Sequence, residues 1–145
     1  MAMFMRKLNS VARCAGLYRT QQSSAQLPGI YHSYVHAICR NPGMSQDKLS
    51  KHLCMNKSSV TRHLGYLEQN GYVERKPSAE DKREMLVYPS QKMLDIHPEV
   101  LQISKQWTAL LSADITKEEM DAFLEVLDKI HIKATEIIET GGGRE

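Results

Sequence analysis

The sequence predicts a mainly α-helical chain with one small β-hairpin near its middle. Apolar residues recur every three to four positions in both end regions, which is the period of an α-helix. Two short segments, 72–75 and 85–88, are instead rich in aliphatic, aromatic and β-branched residues, as strands are. With 145 residues, 41% hydrophobic and 25% charged, the composition is typical of one folded, soluble domain.

The composition also excludes several classes of protein. No apolar run approaches the roughly 18 residues of a membrane helix. Arg6 and Lys7 interrupt the first apolar segment, so a secretory leader is not expected either. Three cysteines without a C-x-x-C motif exclude a disulfide framework and an all-cysteine zinc site. We therefore expect a cytoplasmic protein with reduced thiols and no membrane partner.

The charges are distributed unevenly along the chain. Residues 1–43 carry five basic and no acidic side chains, and residues 44–93 carry nine basic and six acidic ones. Residues 94–145 carry five basic and eleven acidic side chains, so the net charge changes from positive to negative. This polarity suits a protein that presents one surface to a polyanion. Uneven surface charge without such a partner is the alternative.

Two helices are predicted before residue 44. Apolar residues at helical spacing predict the first helix from Met5 to Tyr18 and the second from Ile30 to Arg40. The polar segment 21–29 between them ends in Pro-Gly and is predicted to be a loop. Asn-Pro-Gly at 41–43 ends the second helix.

A helix-turn-helix is predicted next. Ser45 is a good N-cap for a short helix, and Asn56 is a good N-cap for a longer one that ends at Asn70 and Gly71. Only three residues, 54–56, separate the two helices. The longer helix has an apolar stripe formed by Val60, Leu64 and Leu67.

A β-hairpin follows the helix-turn-helix directly. The two strands are predicted at 72–75 and 85–88, with the polar and charged segment 76–83 as a long tip. Pro89 and Ser90 close the second strand. A helix-turn-helix followed by a hairpin is a winged helix-turn-helix, in which the hairpin is the wing.

The last third is predicted to be two long helices. The first spans residues 93–111 and contains Pro98, which should bend it or mark a late start. Thr116 and Glu119 form a capping-box pattern for the second, whose apolar stripe continues to about Glu139. At ~1.5 Å per residue, a helix of this length is too long for one small core to cover. We expect it to pack on a second copy of the chain.

These elements divide the chain into four parts. Residues 1–29 hold the N-terminal helix of a dimerisation region, and 30–92 form the winged helix-turn-helix domain. Residues 93–140 form C-terminal dimerisation helices, and 141–145 are predicted to be a flexible tail.

Two stretches resemble the MarR family of bacterial transcription factors. Residues 56–75 follow the recognition-helix pattern of that family closely, and 80–83, Glu-Asp-Lys-Arg, resembles its D-x-R wing motif. Both stretches occur in register, and the order of elements matches over nearly the whole chain. The resemblance implies a homodimeric winged-helix repressor in the cytoplasm of a bacterium or archaeon, associated with the nucleoid. It would bind a pseudo-palindromic operator in double-stranded DNA and be released by a small molecule or an oxidant.

Candidate DNA contacts lie in two places. On the recognition helix, hydroxyls and cations could reach phosphates and base edges in the major groove. On the wing, a guanidinium suits the narrow minor groove. The candidates are Lys57, Ser58, Ser59, Thr61 and Arg62 on the helix, and Lys76, Asp81, Lys82 and Arg83 on the wing. Asp81 is expected not to touch DNA but to pair with Arg83 and hold its guanidinium, as the resemblance implies.

Three kinds of regulatory input are candidates. Cys14 begins a C-x-x-L-Y segment that resembles the first helix of peroxide-sensing members of the family, although a buried packing role is the alternative. His32, His36 and Cys39 share one face of the second helix and are weak metal candidates. A cleft for a small aromatic or amphipathic effector is implied by the resemblance. Its candidate lining residues are Tyr18, Tyr31, Tyr34 and Trp107.

Enzymatic activity is not expected. The sequence contains no G-x-S-x-G, no G-x-G-x-x-G and no P-loop motif, and no acidic residue precedes Asp47. No cofactor is expected. The alternative to a DNA-binding regulator is a winged helix that binds another protein without specific DNA binding.

Overall fold

The computed structural model describes residues 2–142 and is mainly helical, as predicted. Six helices and three short strands follow one another along the chain. They are α1 (Ala2–Gln22), α2 (His32–Arg40), β1 (Met44–Ser45), α3 (Gln46–His52), α4 (Lys57–Gln69), β2 (Val73–Pro77), β3 (Met85–Pro89), α5 (Gln91–Ser112) and α6 (Lys117–Glu139). A 3-10 turn at Gly29–Tyr31 precedes α2. Helices α3 and α4 form the predicted helix-turn-helix, and β2 and β3 form the predicted wing.

Helix α1 is longer than predicted and packs closely on the 3-10 turn. A β-carbon at Gly29 would collide with the backbone carbonyl of Gly16, so only glycine allows this approach. The Thr20 hydroxyl fixes the contact because it donates to the Gly16 carbonyl (3.0 Å) and accepts from the Gly29 amide (2.7 Å).

The sheet has three strands in the order β1-β3-β2, and both pairings are antiparallel. In the wing, Val73 lies opposite Pro89 and Pro77 opposite Met85. Strand β1 was not predicted, and its two residues pair with β3 through Met44 and Val87. This pairing attaches the start of α3 to the wing.

The core of the winged helix lies between α2, α3, α4 and the sheet. Its largest fully buried side chains come from all of these elements and from the segments beside them. They are Leu27, Tyr34, Val35, Ile38, Leu49, Val60, Leu64, Leu67, Val87 and Met93. The three residues of the predicted apolar stripe on α4 are all in this core. Burial of this stripe holds the opposite face of α4 toward solvent.

Helix α5 runs without interruption through Pro98. Of the two effects expected of Pro98, the late start was wrong, because the Ser90 hydroxyl accepts the Met93 amide at 3.2 Å and the helix begins at Gln91, seven residues before the proline. Ser90 also donates to the Gly71 carbonyl at 2.6 Å, which joins the start of α5 to the end of α4.

Helix α6 begins and ends as its sequence predicts. Thr116 and Glu119 form a reciprocal capping box. At the other end the Gly142 amide donates to the Ile137 carbonyl (2.7 Å) and the Gly141 amide to the Ile138 carbonyl, which is a Schellman cap. These two glycines, assigned to the tail from the sequence, therefore end the helix. Residues 143–145 of that tail lie outside the described residues.

The chain divides into two compact units, and the division falls after Trp107, within α5. The first unit contains the winged helix together with α1. The second contains the end of α5 and α6, a helix with no buried residue. Within residues 2–142, no helix combines the length and the apolar character that crossing a membrane requires.

Candidate nucleic-acid interface

The start of the recognition helix α4 is held by a side-chain cap. The Asn56 carboxamide oxygen accepts the Ser59 amide (2.8 Å) and the Ser58 hydroxyl (2.9 Å). The Ser58 proton is therefore engaged by the cap, and its oxygen can only accept a further hydrogen bond. Ser59 is half-buried, and its backbone amide is the group that the cap binds.

The remaining three candidates on α4 are exposed. Thr61 donates its hydroxyl proton to the Lys57 carbonyl at 2.9 Å. The Lys57 ammonium lies 3.4 Å from the Asp47 carboxylate, and both side chains are largely in solvent, so this ion pair is weak. Arg62 is exposed as well. This face of α4 thus presents two cations and one oriented hydroxyl.

The tip of the wing is an ordered turn. The Ser78 amide donates to the Glu84 carbonyl at 2.8 Å, and the Ser78 hydroxyl accepts from the amides of Glu80 and Asp81. Ser78 is buried although it lies in a polar tip. Sequence reasoning missed it, because an isolated serine between proline and alanine gives no pattern.

The expected pairing of the Asp81 and Arg83 side chains is not formed. The Asp81 carboxylate accepts the backbone amide of Arg83 at 3.0 Å. Within the described part of the chain, no ion pair joins this carboxylate to the Arg83 guanidinium. The reason is geometric: an aspartate two residues before an amide forms an Asx turn readily. Asp81 therefore shapes the turn that carries Arg83.

The cations of the wing differ in their surroundings. Lys76 lies 3.5 Å from the Glu74 carboxylate and 5.4 Å from the centroid of the Tyr88 ring. Lys82 and Arg83 are exposed at the tip. Lys76 therefore already has partners within the hairpin, whereas the two tip cations are in solvent.

Behind the recognition helix lies an aromatic group formed by Tyr31, Tyr34, His63 and Tyr66. The Tyr34 hydroxyl is 2.8 Å from Nδ1 of His63, and the Tyr31 and Tyr66 rings stack with centroids 4.4 Å apart. Burial raises the pKa of Tyr34 to about 12 and lowers the pKa of His63. The tautomer of the imidazole decides which of the two groups donates the hydrogen bond. This pair fastens α4 to α2.

The residues proposed to line one effector cleft fall into two groups. Tyr18 and Trp107 pack together with ring centroids 4.9 Å apart. Tyr31 and Tyr34 belong to the aromatic group around His63. The four residues expected in one cleft therefore lie in two separate aromatic groups.

The sulfur and imidazole candidates are also separated. Cys14 is exposed on α1, and burial raises the pKa of the half-buried Cys39. His32 is buried with no hydrogen bond to either ring nitrogen, whereas Nδ1 of His36 lies 3.3 Å from Nε2 of His97. Within residues 2–142, no three His, Cys, Asp or Glu side chains are placed to hold a metal ion.

Comparison with known proteins shows a similarity in the middle of the chain. Residues 25–84 match the family profile described as MarR family. This range covers α2, the helix-turn-helix and the tip of the wing. Residues 25–84 are therefore similar to the MarR family. The expected resemblance is therefore confirmed, and so is the winged-helix fold.

Two curated relatives of this chain are regulators by name. An uncharacterized HTH-type transcriptional regulator, YybA, of Bacillus subtilis is 23% identical over 97 residues, which are 67% of this chain and 65% of that protein. A putative transcriptional regulatory protein for the hcr operon of Thauera aromatica is 28% identical over 89 residues, 59% of this chain and 53% of that protein. The matching segment thus spans less than two thirds of either relative.

The fold is shared over almost the whole chain. A putative MarR family transcriptional regulator from Listeria monocytogenes, solved as a complex with 26mer DNA, superposes with a TM-score of 0.85. It is 21% identical, and the match covers 97% of each chain. The likeness therefore includes the N-terminal and C-terminal helices as well as the winged helix.

Proposed function

We propose that this chain is a transcriptional repressor of the MarR family that binds a pseudo-palindromic operator in double-stranded DNA as a homodimer. The observation that carries the proposal is the two-sided character of α4. Its apolar stripe is fully buried in the winged-helix core, whereas Lys57, Thr61 and Arg62 are exposed on the same helix. A helix so oriented can enter a major groove with its cations and hydroxyl toward the DNA.

Each exposed side chain has a proposed role. Thr61 and Arg62 contact base edges or phosphates, and Lys57 contacts phosphate. Arg83 enters the minor groove beside the recognition helix, while Lys82 adds phosphate attraction. Ser58, Ser59 and Asp81 act indirectly, because their polar groups hold the helix start and the wing turn. Lys76 adds phosphate attraction from the strand of the wing.

The exposed apolar side chains of the long helices support the proposed homodimer. On α6, Phe123, Val126, Ile132 and Ile137 are about half exposed, and α1 exposes a similar set. The α1 residues are Met3, Phe4, Met5, Leu8 and Val11. So many large apolar side chains in solvent are unusual for a monomer. A second copy would cover them and place two recognition helices about 34 Å apart, one turn of DNA.

Two regulatory inputs are proposed, a bound effector and oxidation of a thiol. A small aromatic or amphipathic effector bound beside Tyr18 and Trp107 would act on α1 and α5, which carry those rings. Oxidation of the exposed Cys14 would act on α1. If the thiol is the input, Cys14→Ser abolishes release of DNA by peroxide and leaves DNA affinity unchanged; retained release excludes it. The protein would act in the cytoplasm, on nucleoid DNA.

The test is selection of genomic DNA fragments by the purified protein at two salt concentrations, with the oligomer sized in parallel. Enrichment of a pseudo-palindrome by a dimer supports the proposal. Binding that disappears with salt and enriches no sequence overturns it in favour of a winged helix that binds another protein.

The wing is tested on the selected site. Arg83→Ala should weaken operator binding at least tenfold with folding intact, as expected for loss of a charge-assisted contact at the DNA surface. Lys105→Ala, an exposed lysine of α5, is the control for loss of one positive charge. Equal affinities of the two variants at moderate salt would contradict the role given to the wing.

A further inference from the structure

The Arg75 side chain joins three elements of the winged helix. From β2, its Nε and Nη2 atoms donate to the two carboxylate oxygens of Glu68 on α4, at 3.2 Å each. Its third donor, Nη1, reaches the carboxamide oxygen of Gln46 at the start of α3, at 3.3 Å. One guanidinium therefore connects the wing, the recognition helix and the first helix of the helix-turn-helix.

This contact differs from the other ion pairs in the described chain. The Arg75 side chain is 20% exposed, whereas each lysine in the remaining five pairs is more than 60% exposed. Two parallel hydrogen bonds from one guanidinium to one carboxylate also fix direction as well as distance. Hydrogen bonding from Arg75 lowers the pKa of Glu68, in agreement with this geometry. The Arg75–Glu68 pair is thus an oriented contact, and the lysine pairs are loose ones.

Arg75 also decides which way the Gln46 carboxamide points. A guanidinium only donates hydrogen bonds, so the oxygen of the carboxamide must face it. The nitrogen then faces away and donates to the Thr61 hydroxyl oxygen at 3.5 Å. Thr61 in turn gives its only proton to the Lys57 carbonyl. Both the proton and one lone pair of this hydroxyl are therefore directed by its neighbours.

We propose that Gln46 and Arg75 are positioning residues for DNA reading by Thr61. The Arg75 network, defined as Gln46, Thr61, Glu68 and Arg75, sets the orientation of the Thr61 hydroxyl and methyl toward the major groove. It also holds the wing strand at a constant place relative to the recognition helix. This inference rests on the proposed function, because it requires that Thr61 faces DNA.

A role confined to folding makes a different prediction. Loss of stability alone lowers the active fraction of the protein and reduces binding to every DNA sequence by the same factor. Loss of positioning instead lowers the preference for the operator over other DNA, because non-specific phosphate contacts do not depend on one hydroxyl. The ratio of the two affinities therefore separates the roles.

The test uses the operator that the wild-type chain selects and a set of its single base-pair variants. Thr61→Val removes the hydroxyl and keeps the shape, and it identifies the base pairs that Thr61 reads. Gln46→Ala should reduce preference at those same base pairs by about tenfold, the usual scale for one base contact. The double variant should lose no more than Thr61→Val alone, because both changes remove one contact.

Arg75→Lys tests whether the shape of the guanidinium, and not only its charge, holds the Arg75 network together. Lysine keeps the charge, so the salt dependence of binding should not change. Its single ammonium cannot replace the planar guanidinium that donates to both Glu68 and Gln46. The preference for the operator should therefore fall at the base pairs that Thr61 reads. Gln69→Ala, an exposed glutamine of α4, and Arg40→Lys, an exposed arginine of α2, are the matched controls and should keep the wild-type profile. Thermal unfolding shows whether each variant is folded.

The outcomes distinguish this inference from the proposed function. If the wild-type chain selects no sequence, the proposed function fails first. If it selects an operator and folded Gln46→Ala and Arg75→Lys variants keep the full preference at the Thr61 base pairs, the positioning role is overturned. Equal loss on operator and non-operator DNA also overturns it, because that result is the one expected for a purely structural network.

Discussion

Helices α4 and α6 have the same kind of apolar stripe but different surroundings. On α4, Leu64 and Leu67 have no solvent exposure. On α6, Phe123 is 53% exposed and Ile137 46%, and no residue of the helix is buried. Helical periodicity therefore predicts that a helix has an apolar face, but not whether the same chain or another one buries that face. The apolar stripe of α4 is buried within the winged helix, whereas that of α6 is about half exposed.

The largest effect on stability is expected at a fully buried position. Leu64→Ala should lower the free energy of unfolding by about 2 to 5 kcal/mol, because it leaves a cavity in the centre of the winged helix. Leu110→Ala, at a leucine that is 64% exposed, is the matched control and should change much less. Urea denaturation measures both. A similar loss for the two variants would contradict the burial difference.

The second effect should appear only in the dimer dissociation constant. Phe123→Lys with Ile137→Lys places two charges on one face of α6, fourteen residues apart, and should raise the dimer dissociation constant by about a hundredfold or more. Sedimentation velocity measures the oligomer, and circular dichroism confirms that the winged helix stays folded. A pair of changes on polar residues, Lys129→Ala with Lys133→Ala, is the control. A double-lysine variant that remains dimeric would show that α6 is not in the interface.

The same contrast explains what the sequence could predict. The helix-turn-helix, both caps of its helices and the wing follow from residues close together in the chain, such as Ser45 and Asn56 with the amides they accept. The candidate contacts on α4 were found for the same reason, because the buried stripe defines the opposite face. Residues close together in the sequence were therefore sufficient to predict these elements and candidates.

The missed features depend on partners distant in sequence. Strand β1 is too short to have a periodicity, and it exists because β3 offers it backbone partners. Arg75 was not a candidate, since its partners Gln46 and Glu68 lie 29 and seven residues away. The Tyr34–His63 hydrogen bond, 29 residues apart, was missed for the same reason. Such contacts appear only after the chain has folded.

A third prediction concerns pH. Burial lowers the pKa of His32, His63 and His97, all in the first unit. An imidazole whose pKa is lowered by folding binds fewer protons in the folded chain than in the unfolded chain. The free energy of unfolding therefore has its full value above about pH 6.5. It decreases as the pH falls from about 6.5 through the pKa values of the histidines in the folded chain. The pKa of Glu68 is also lowered, but from 4.5, so its contribution is lost at lower pH.

Unfolding free energies at pH 7.5 and pH 5.5 test this prediction. The wild-type chain should be less stable at the lower pH. His32→Phe should reduce the difference between the two values, because burial is the largest cause of the lowered pKa of this imidazole and phenylalanine cannot bind a proton. A pH dependence that is unchanged by the substitution would assign the effect to the other two histidines.

The smallest effect compares one local motif in the two regions. Ser45 caps α3 inside the winged helix, and Thr116 caps α6. Each Ala substitution removes one capping hydrogen bond, worth about 1 kcal/mol. Ser45→Ala should lower global stability by that amount, since α3 cannot fray without opening the core around Leu49. Thr116→Ala should instead speed hydrogen exchange in the first turn of α6 only, because no buried side chain there transmits the loss to the winged helix. A global loss from Thr116→Ala would mean that the first turn of α6 unfolds together with the winged helix.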